Sequence, residues 1–187
     1  MKLENALNYS HTLLQQVVQP GEFVIDATVG NGYDTEFLAR LVGPIGGRVL
    51  GFDVQLQAIE HTTDRLDEAG ITNTQLIHKG HEHVGEYLTD QEVAGAIFNL
   101  GYLPGADKSV ITHGNTTLEA VSSILPRLRK EGLLVLVVYY GHPGGETELN
   151  AVMDYVEALP HTDYNVLQYG FINQENQPPF VLAIQKR

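Results

Sequence analysis

The sequence predicts an α/β fold: a seven-stranded, mostly parallel sheet with helices on both faces and an antiparallel C-terminal hairpin. Three observations predict it. Short apolar runs alternate along the chain with stretches of 3.6-residue periodicity, the pattern of strand–helix units in a parallel sheet. Residues 132–140 (GLLVLVVYY) are continuously apolar, as suits a central strand covered on both faces. The last two apolar runs, roughly 164–172 and 179–185, are joined only by NQENQPP, a length that suits an antiparallel hairpin.

The elements follow in order. Residues 3–18 carry apolar side chains at Leu3, Ala6, Leu7, Leu13, Leu14, Val17 and Val18. That spacing predicts an amphipathic helix stopped by Pro20-Gly21. Residues 22–27 are read as the first strand, 34–42 as a helix and 47–53 (GRVLGFD) as the second strand. A helix over about 56–69 ends at Gly70, the usual stop residue. Residues 73–78 (NTQLIH) form a third strand, 82–88 a short helix and 93–99 (VAGAIFN) a fourth strand. Thr117, Leu118, Val121, Ile124, Leu125 and Leu128 mark a helical face, with Pro126 expected to kink or shorten it. Leu149, Val152, Met153 and Val156 mark one more helix before the closing hairpin.

Composition narrows the class. A chain of 187 residues suits one domain, 1–187, large enough to bury roughly 70% of its unfolded surface. No apolar run approaches the ~20 residues that span a bilayer, and the N-terminus does not read as a signal peptide. There are no cysteines, hence no disulfides and no thiolate metal site. A cytoplasmic protein without membrane partners is expected. The formal net charge is −12, whereas a protein that grips a long phosphate backbone is usually basic. Any nucleic-acid contact is therefore expected through a local patch or with a short exposed segment.

The stretch from Val24 to Gln55 carries the ligand signal. An apolar run ends in Asp26, a glycine turn follows (Gly30-Asn31-Gly32-Tyr33-Asp34-Thr35), and a second apolar run ends in Asp53. Ligands of doubly wound sheets sit at the carboxyl ends of strands, where strand order switches. Asp26, Asp53, His78 to His81 and Asn99 all fall at predicted strand ends. A dinucleotide fingerprint would place a third glycine where Thr35 stands. The carboxylate of Asp26 would repel a pyrophosphate but suit a ligand with a cationic amino group, such as S-adenosylmethionine. Asp53 suits two ribose hydroxyls, which NAD and S-adenosylmethionine both offer. Candidate cofactor contacts are thus Asp26, Gly30, Asn31, Gly32, Asp34, Asp53, Gln55, Gly80 and His81. Two readings fit Gln55: a ribose or adenine contact, or a helix cap. Two fit His81 as well: a wall of the adenine pocket, or an exposed histidine at a helix start. His78, His81 and His83 do not make a zinc pattern without further ligands, so no metal is expected.

Asn99 opens the block Phe98-Asn99-Leu100-Gly101-Tyr102-Leu103-Pro104. Beside a sulfonium methyl, its amide oxygen would accept a hydrogen bond from an amine and aim the lone pair for in-line transfer. Tyr102 is a candidate stacking partner for a base. His142, in the loop after the fifth strand, has an ordinary pKa of ~6.5 that suits a proton acceptor; water, or a purely structural loop, fits that position equally. Lys108, Arg127, Arg129 and Lys130 are the nearest candidate phosphate contacts.

The blocks VIDATVGNGYDTEFLA, GFDVQ, FNLGYLPGADKS, VLVVYYGHPGG and YGFINQENQPPF resemble one family across nearly the whole chain. It is the small Rossmann-like class I methyltransferases long labelled rRNA methylases and since tied to tRNA 5-aminomethyl-2-thiouridine methylation. The resemblance implies S-adenosylmethionine as cofactor and the anticodon region of tRNA as partner. It implies methylation of the aminomethyl nitrogen of a wobble uridine, giving 5-methylaminomethyl-2-thiouridine. Asn99 to Tyr102 also resembles the Asn-Pro-Pro-Tyr block of amino-methylating nucleic-acid enzymes, with Leu100 and Gly101 in place of the prolines. The alternatives are N-methylation of rRNA or of a small-molecule amine, an NAD-linked oxidoreductase, and a cofactor-binding protein without catalysis. A homodimer is expected, since a small acidic subunit must still reach a tRNA.

Overall fold

The computed structural model of the protein describes residues 2–100, 114–141, 145–175 and 177–187. All of its strands join one seven-stranded sheet. They are β1 (Phe23–Asp26), β2 (Arg48–Asp53), β3 (Thr74–His78), β4 (Val93–Leu100), β5 (Leu128–Val138), β6 (Tyr164–Tyr169) and β7 (Phe180–Lys186). The order across the sheet is β3-β2-β1-β4-β5-β7-β6. The five strands from β3 to β5 run parallel, and β7 is antiparallel to both β5 and β6. The predicted parallel sheet with a reversed C-terminal hairpin is therefore observed.

Among the described residues five α-helices surround it: α1 (Ala6–Val17), α2 (Tyr33–Val42), α3 (Leu56–Glu68), α4 (Gly114–Ile124) and α5 (Gly145–Glu157). Alternate residues of each central strand feed two cores, the consequence of period-two side chains. On one face Ile25, Phe52, Phe98 and Leu136 pack with Val121 and Ile124 of α4 and Val152 and Val156 of α5. On the other, Val24, Ile97, Val135 and Val181 pack with Leu14 of α1 and Leu38 and Val42 of α2.

Several boundaries differ from the sequence expectation, each for a local reason. The first helix starts at Ala6 rather than Leu3, because the Asn5 side chain accepts from the Asn8 N–H at 2.8 Å and caps it. The segment after β3 is a 3₁₀ turn, His81–Glu86. Pro126 shortens the helix, as expected, rather than kinking it. It lies in a 3₁₀ turn, Leu125–Arg127, that ends α4 and feeds β5 four residues earlier than the apolar run suggests. The extra residues are absorbed by a register shift between Val93 and Gly95, at Glu131 (φ 62°). Gly132 follows; a Cβ there would stand 2.9 Å from the Arg129 carbonyl oxygen. β6 stops at Tyr169 rather than reaching residue 172.

Candidate active site

The strand order reverses between β1 and β4, so the two chains leaving those strands diverge and open a crevice. Thr28 keeps its lower rim closed. Ala27 N–H still donates to the Ile97 carbonyl at 2.9 Å; one step further, the Thr28 hydroxyl accepts from Asn99 N–H at 2.7 Å. Around this crevice stand Asp26 at the end of β1, Asp53 at the end of β2 and Asn99 one residue before the end of β4.

The glycine turn is built from both sides. Gly30 and Gly32 take positive φ, 53° and 80°, a region open to glycine without strain. Asp53 holds the turn from β2: one carboxylate oxygen accepts from Gly30 N–H at 2.8 Å and the other from Gln55 N–H at 2.9 Å. Gln55 occupies the N-cap position of α3, yet its side chain makes no capping bond. From α3, the fully buried Thr62 donates its hydroxyl to the Gly30 carbonyl at 3.2 Å, and Arg65 donates to the Asn31 carbonyl at 2.9 Å.

Asp26 is fully buried. It accepts from the Thr35 hydroxyl at 2.6 Å and from Thr28 N–H at 3.1 Å. Burial, and then the nearby Asp34 charge, push its carboxyl up to about 7. Asp26 thus shapes the turn from within, and two further carboxylates, the buried Asp34 and the partly exposed Asp53, stand at the crevice. Asp34, in the first turn of α2, takes the Asn99 side-chain N–H on Oδ2 and meets His11 Nε2 at 2.6 Å on Oδ1. Burial, and then Asp34, raise the pKa of the Tyr139 phenol just beyond β5.

Two buried acceptors here lack a hydrogen-bond partner among the described residues: His81 Nε2 and Asn99 Oδ1. The His81 ring is buried, with Nδ1 at 3.1 Å from the Ala27 carbonyl. Since a carbonyl can only accept, Nδ1 carries the proton and Nε2 presents a lone pair. Burial holds this imidazole's pKa below its ordinary value. Three carboxylates and two unpaired acceptors at one crevice suit a cationic ligand rich in N–H donors. S-adenosylmethionine, with its sulfonium, α-ammonium and adenine amine, fits that donor set; a pyrophosphate does not.

His78, His81 and His83 go to three separate partners, the Val54 carbonyl, the Ala27 carbonyl and Glu86. Arg127, Arg129 and Lys130 do not approach the site. They stand at the start of β5, where Leu128 pairs with Val93 at the amino end of β4, the opposite edge of the sheet. Arg129 is also committed to Glu22 at 2.6 Å and to the Val17 carbonyl. Tyr102, Lys108 and His142 lie outside the described residues. A cavity of about 710 Å³ between α2 and α3, lined by Asn31, Tyr33, Glu36, His61, Asp64 and Arg65 among others, shares Asn31 with the glycine turn but touches neither Asp26, Asp53 nor Asn99.

Sequence reasoning missed His11, Thr28 and Thr62. Thr28 adjoins Asp26 and was the most accessible of the three. His11 and Thr62 sit on helices whose polar residues carry no local mark of the tertiary contact they make.

Known proteins resemble this chain in sequence and fold. The family described as "Putative rRNA methylase" matches residues 49–185. A chloroplastic tRNA (mnm5s2U34)-methyltransferase from Arabidopsis thaliana is 37% identical over 98% of this chain and 70% of its own length. Among solved structures, a protein of the same description from Clostridium thermocellum superposes with a TM-score of 0.97 at 38% identity, covering 100% of both chains. A Streptococcus mutans protein described as "a putative methyltransferase", solved in complex with SAH, gives a TM-score of 0.92 at 42% identity, again over 100% of both. The crevice at the β1/β4 switch, its carboxylate rim and a match across most of the chain place this protein in that family of S-adenosylmethionine-dependent methyltransferases.

Proposed function

We propose that the protein methylates the aminomethyl nitrogen of 5-aminomethyl-2-thiouridine at the wobble position of tRNA, giving 5-methylaminomethyl-2-thiouridine. The observation that carries this reading is Asn99 Oδ1, a buried acceptor without a partner among the described residues, at the strand end beside the cofactor crevice. The full-length likeness to a tRNA (mnm5s2U34)-methyltransferase supports the choice of RNA.

S-adenosylmethionine, when bound, supplies a methyl carbon made electrophilic by its sulfonium. The residues of this chain do the rest. Asp53 and Gln55 are read as ribose contacts, with Gly30, Asn31 and Gly32 forming the wall behind. His81 Nε2 and the Gly80 backbone are read as the adenine side, and Asp34 as a carboxylate facing the positive charge of the cofactor. Asn99 Oδ1 accepts an N–H of the neutral substrate amine, so that the nitrogen lone pair points along the line of transfer. The N–C bond forms as the C–S bond breaks, and the resulting secondary ammonium gives a proton to water or a nearby base. Tyr102 and His142 are retained as candidates for base stacking and proton acceptance.

The test is direct. Purified protein is incubated with labelled S-adenosylmethionine and tRNA from cells that lack the final methyl group, and the nucleosides are resolved by mass spectrometry. The expected result is label in 5-methylaminomethyl-2-thiouridine alone. Label in ribosomal RNA, or none in any tRNA nucleoside, overturns the proposal. The net charge of −12 favours a second reading, a small-molecule amine as acceptor, and the same assay with free amines separates the two. A cytoplasmic homodimer acting as a single domain is part of the proposal.

A further inference from the structure

The N-terminal helix α1 precedes both the glycine turn and the region matched by the family, yet it reaches the site. His11 lies on it. Its Nε2 stands 2.6 Å from Asp34 Oδ1, and its ring stacks on Phe37 with centroids 3.9 Å apart and planes 3° from parallel. Phe37 is on α2, as is Asp34, so one helix fixes both the plane of the imidazole and the group it meets. The other Asp34 oxygen takes the Asn99 side-chain N–H. Asn99 is thereby left with Oδ1 as its free group, one of the two buried acceptors of the site without a partner among the described residues.

We propose that His11 is a positioning residue for methyl transfer: it holds Asp34, and Asp34 orients the Asn99 amide so that Oδ1 faces the substrate amine. This rests on the amine-methylation reading of the site. An asparagine amide alone is nearly symmetric in shape, and either end could face the crevice. A carboxylate behind it removes that ambiguity, since only the NH2 end can donate to Asp34. The carboxylate also polarises the amide, making Oδ1 a stronger acceptor as positive charge builds on the attacking nitrogen. Asp34 must in turn be kept from rotating, because a carboxylate in the first turn of a helix has solvent and backbone N–H groups as alternative partners. The stacked His11 ring supplies a fixed N–H donor that closes off those alternatives.

The experiment compares His11→Leu with His11→Gln. The terminal amide nitrogen of Gln is the same number of bonds from Cβ as His Nε2, so it can still donate to Asp34. Leu fills the space and cannot. With tRNA substrate, His11→Leu is expected to lower kcat roughly tenfold, with SAH affinity within about twofold of wild type and melting temperature little changed. His11→Gln is expected to restore kcat to within roughly threefold. In an Asn99→Ala background, His11→Leu should cost nothing further, because the group it acts through is gone. A readout without substrate keeps the two proposals apart. The Asn99 side-chain NH2 signals should be slow to exchange in the wild type and in His11→Gln, and fast in His11→Leu. Wild-type kcat in His11→Leu, an unchanged exchange rate, or a full effect persisting in Asn99→Ala overturns the role of His11. Normal exchange behaviour with no methylation of tRNA overturns the substrate reading alone.

Discussion

Asp26 ties the stability of the fold to pH. Its carboxyl is pushed up to about 7 by burial and by Asp34, against ~3.9 in an unfolded chain. The folded state therefore binds a proton more tightly than the unfolded state across that window. Stability from this group is present in full below about pH 4 and is lost as pH rises towards 7, with a slope approaching ~1.4 kcal/mol per pH unit. Asp26→Asn keeps one acceptor oxygen for Thr28 N–H, turns the Thr35 hydroxyl from donor to acceptor of the new amide N–H, and removes the charge. Its melting temperature relative to wild type should rise between pH 4.5 and 7.5, by ~2–4 °C per kcal/mol relieved. Parallel melting curves for the two proteins across that range would contradict the assignment. At this scale the place of Asp26 at a strand end was legible in sequence. That its two oxygens also brace the turn, through Thr28 and Thr35, is visible only in the structure.

The glycine turn and α3 act as one unit. Gly32 has φ 80°, and a Cβ added there would lie 2.6 Å from Thr62 Oγ1 and 2.7 Å from Thr62 Cγ2. Thr62 has little room to yield, being fully buried and bonded to the Gly30 carbonyl. Gly32→Ala should cost roughly 1–3 kcal/mol in urea unfolding. In a Thr62→Ala background the penalty should shrink towards the ~1 kcal/mol of left-handed strain alone; an equal cost in both backgrounds would show that the contact is not the cause. Elements of this kind divide what sequence can tell. Strand ends are announced by apolar runs that stop at polar residues, so Asp26, Asp53 and Asn99 could be placed together. Buttresses such as Thr62 and His11 are polar residues on amphipathic helices, and nothing local separates them from solvent-facing neighbours. The start of β5 was hidden for another reason. Its first residues, Leu128 to Glu131, are mostly charged, and only pairing with Val93 makes them strand.

For the molecule as a whole, charge was legible but its distribution was not. The basic run at Arg127–Lys130 looked available for phosphate, yet the topology carries it to the edge of the sheet away from the crevice. The other edge feature is β6, which pairs only with β7. Val166 and Leu167 on it are 41% and 44% exposed, and Ile172 beyond it is fully exposed. Open apolar edges invite pairing with another chain, so this edge is the expected homodimer contact. Light scattering should give twice the mass of the 187-residue chain, and Leu167→Lys should shift it towards the monomer. A wild-type mass of one chain would remove the dimer.

The seating of α1 has a consequence for how the protein folds. The partners of this helix include β5 and β7, and Tyr9 stacks on Tyr169 at 3.9 Å while the Tyr169 hydroxyl donates to the Glu4 carbonyl. The β7 and Tyr169 part of that surface forms only with the C-terminal hairpin. Contacts that distant in sequence form late, because the long intervening loop must close first. The hairpin thus helps to seat the helix that carries His11 against Asp34. Long-range topology ties the helix that carries His11 to the far end of the sheet, across 165 residues of sequence from Glu4 to Tyr169.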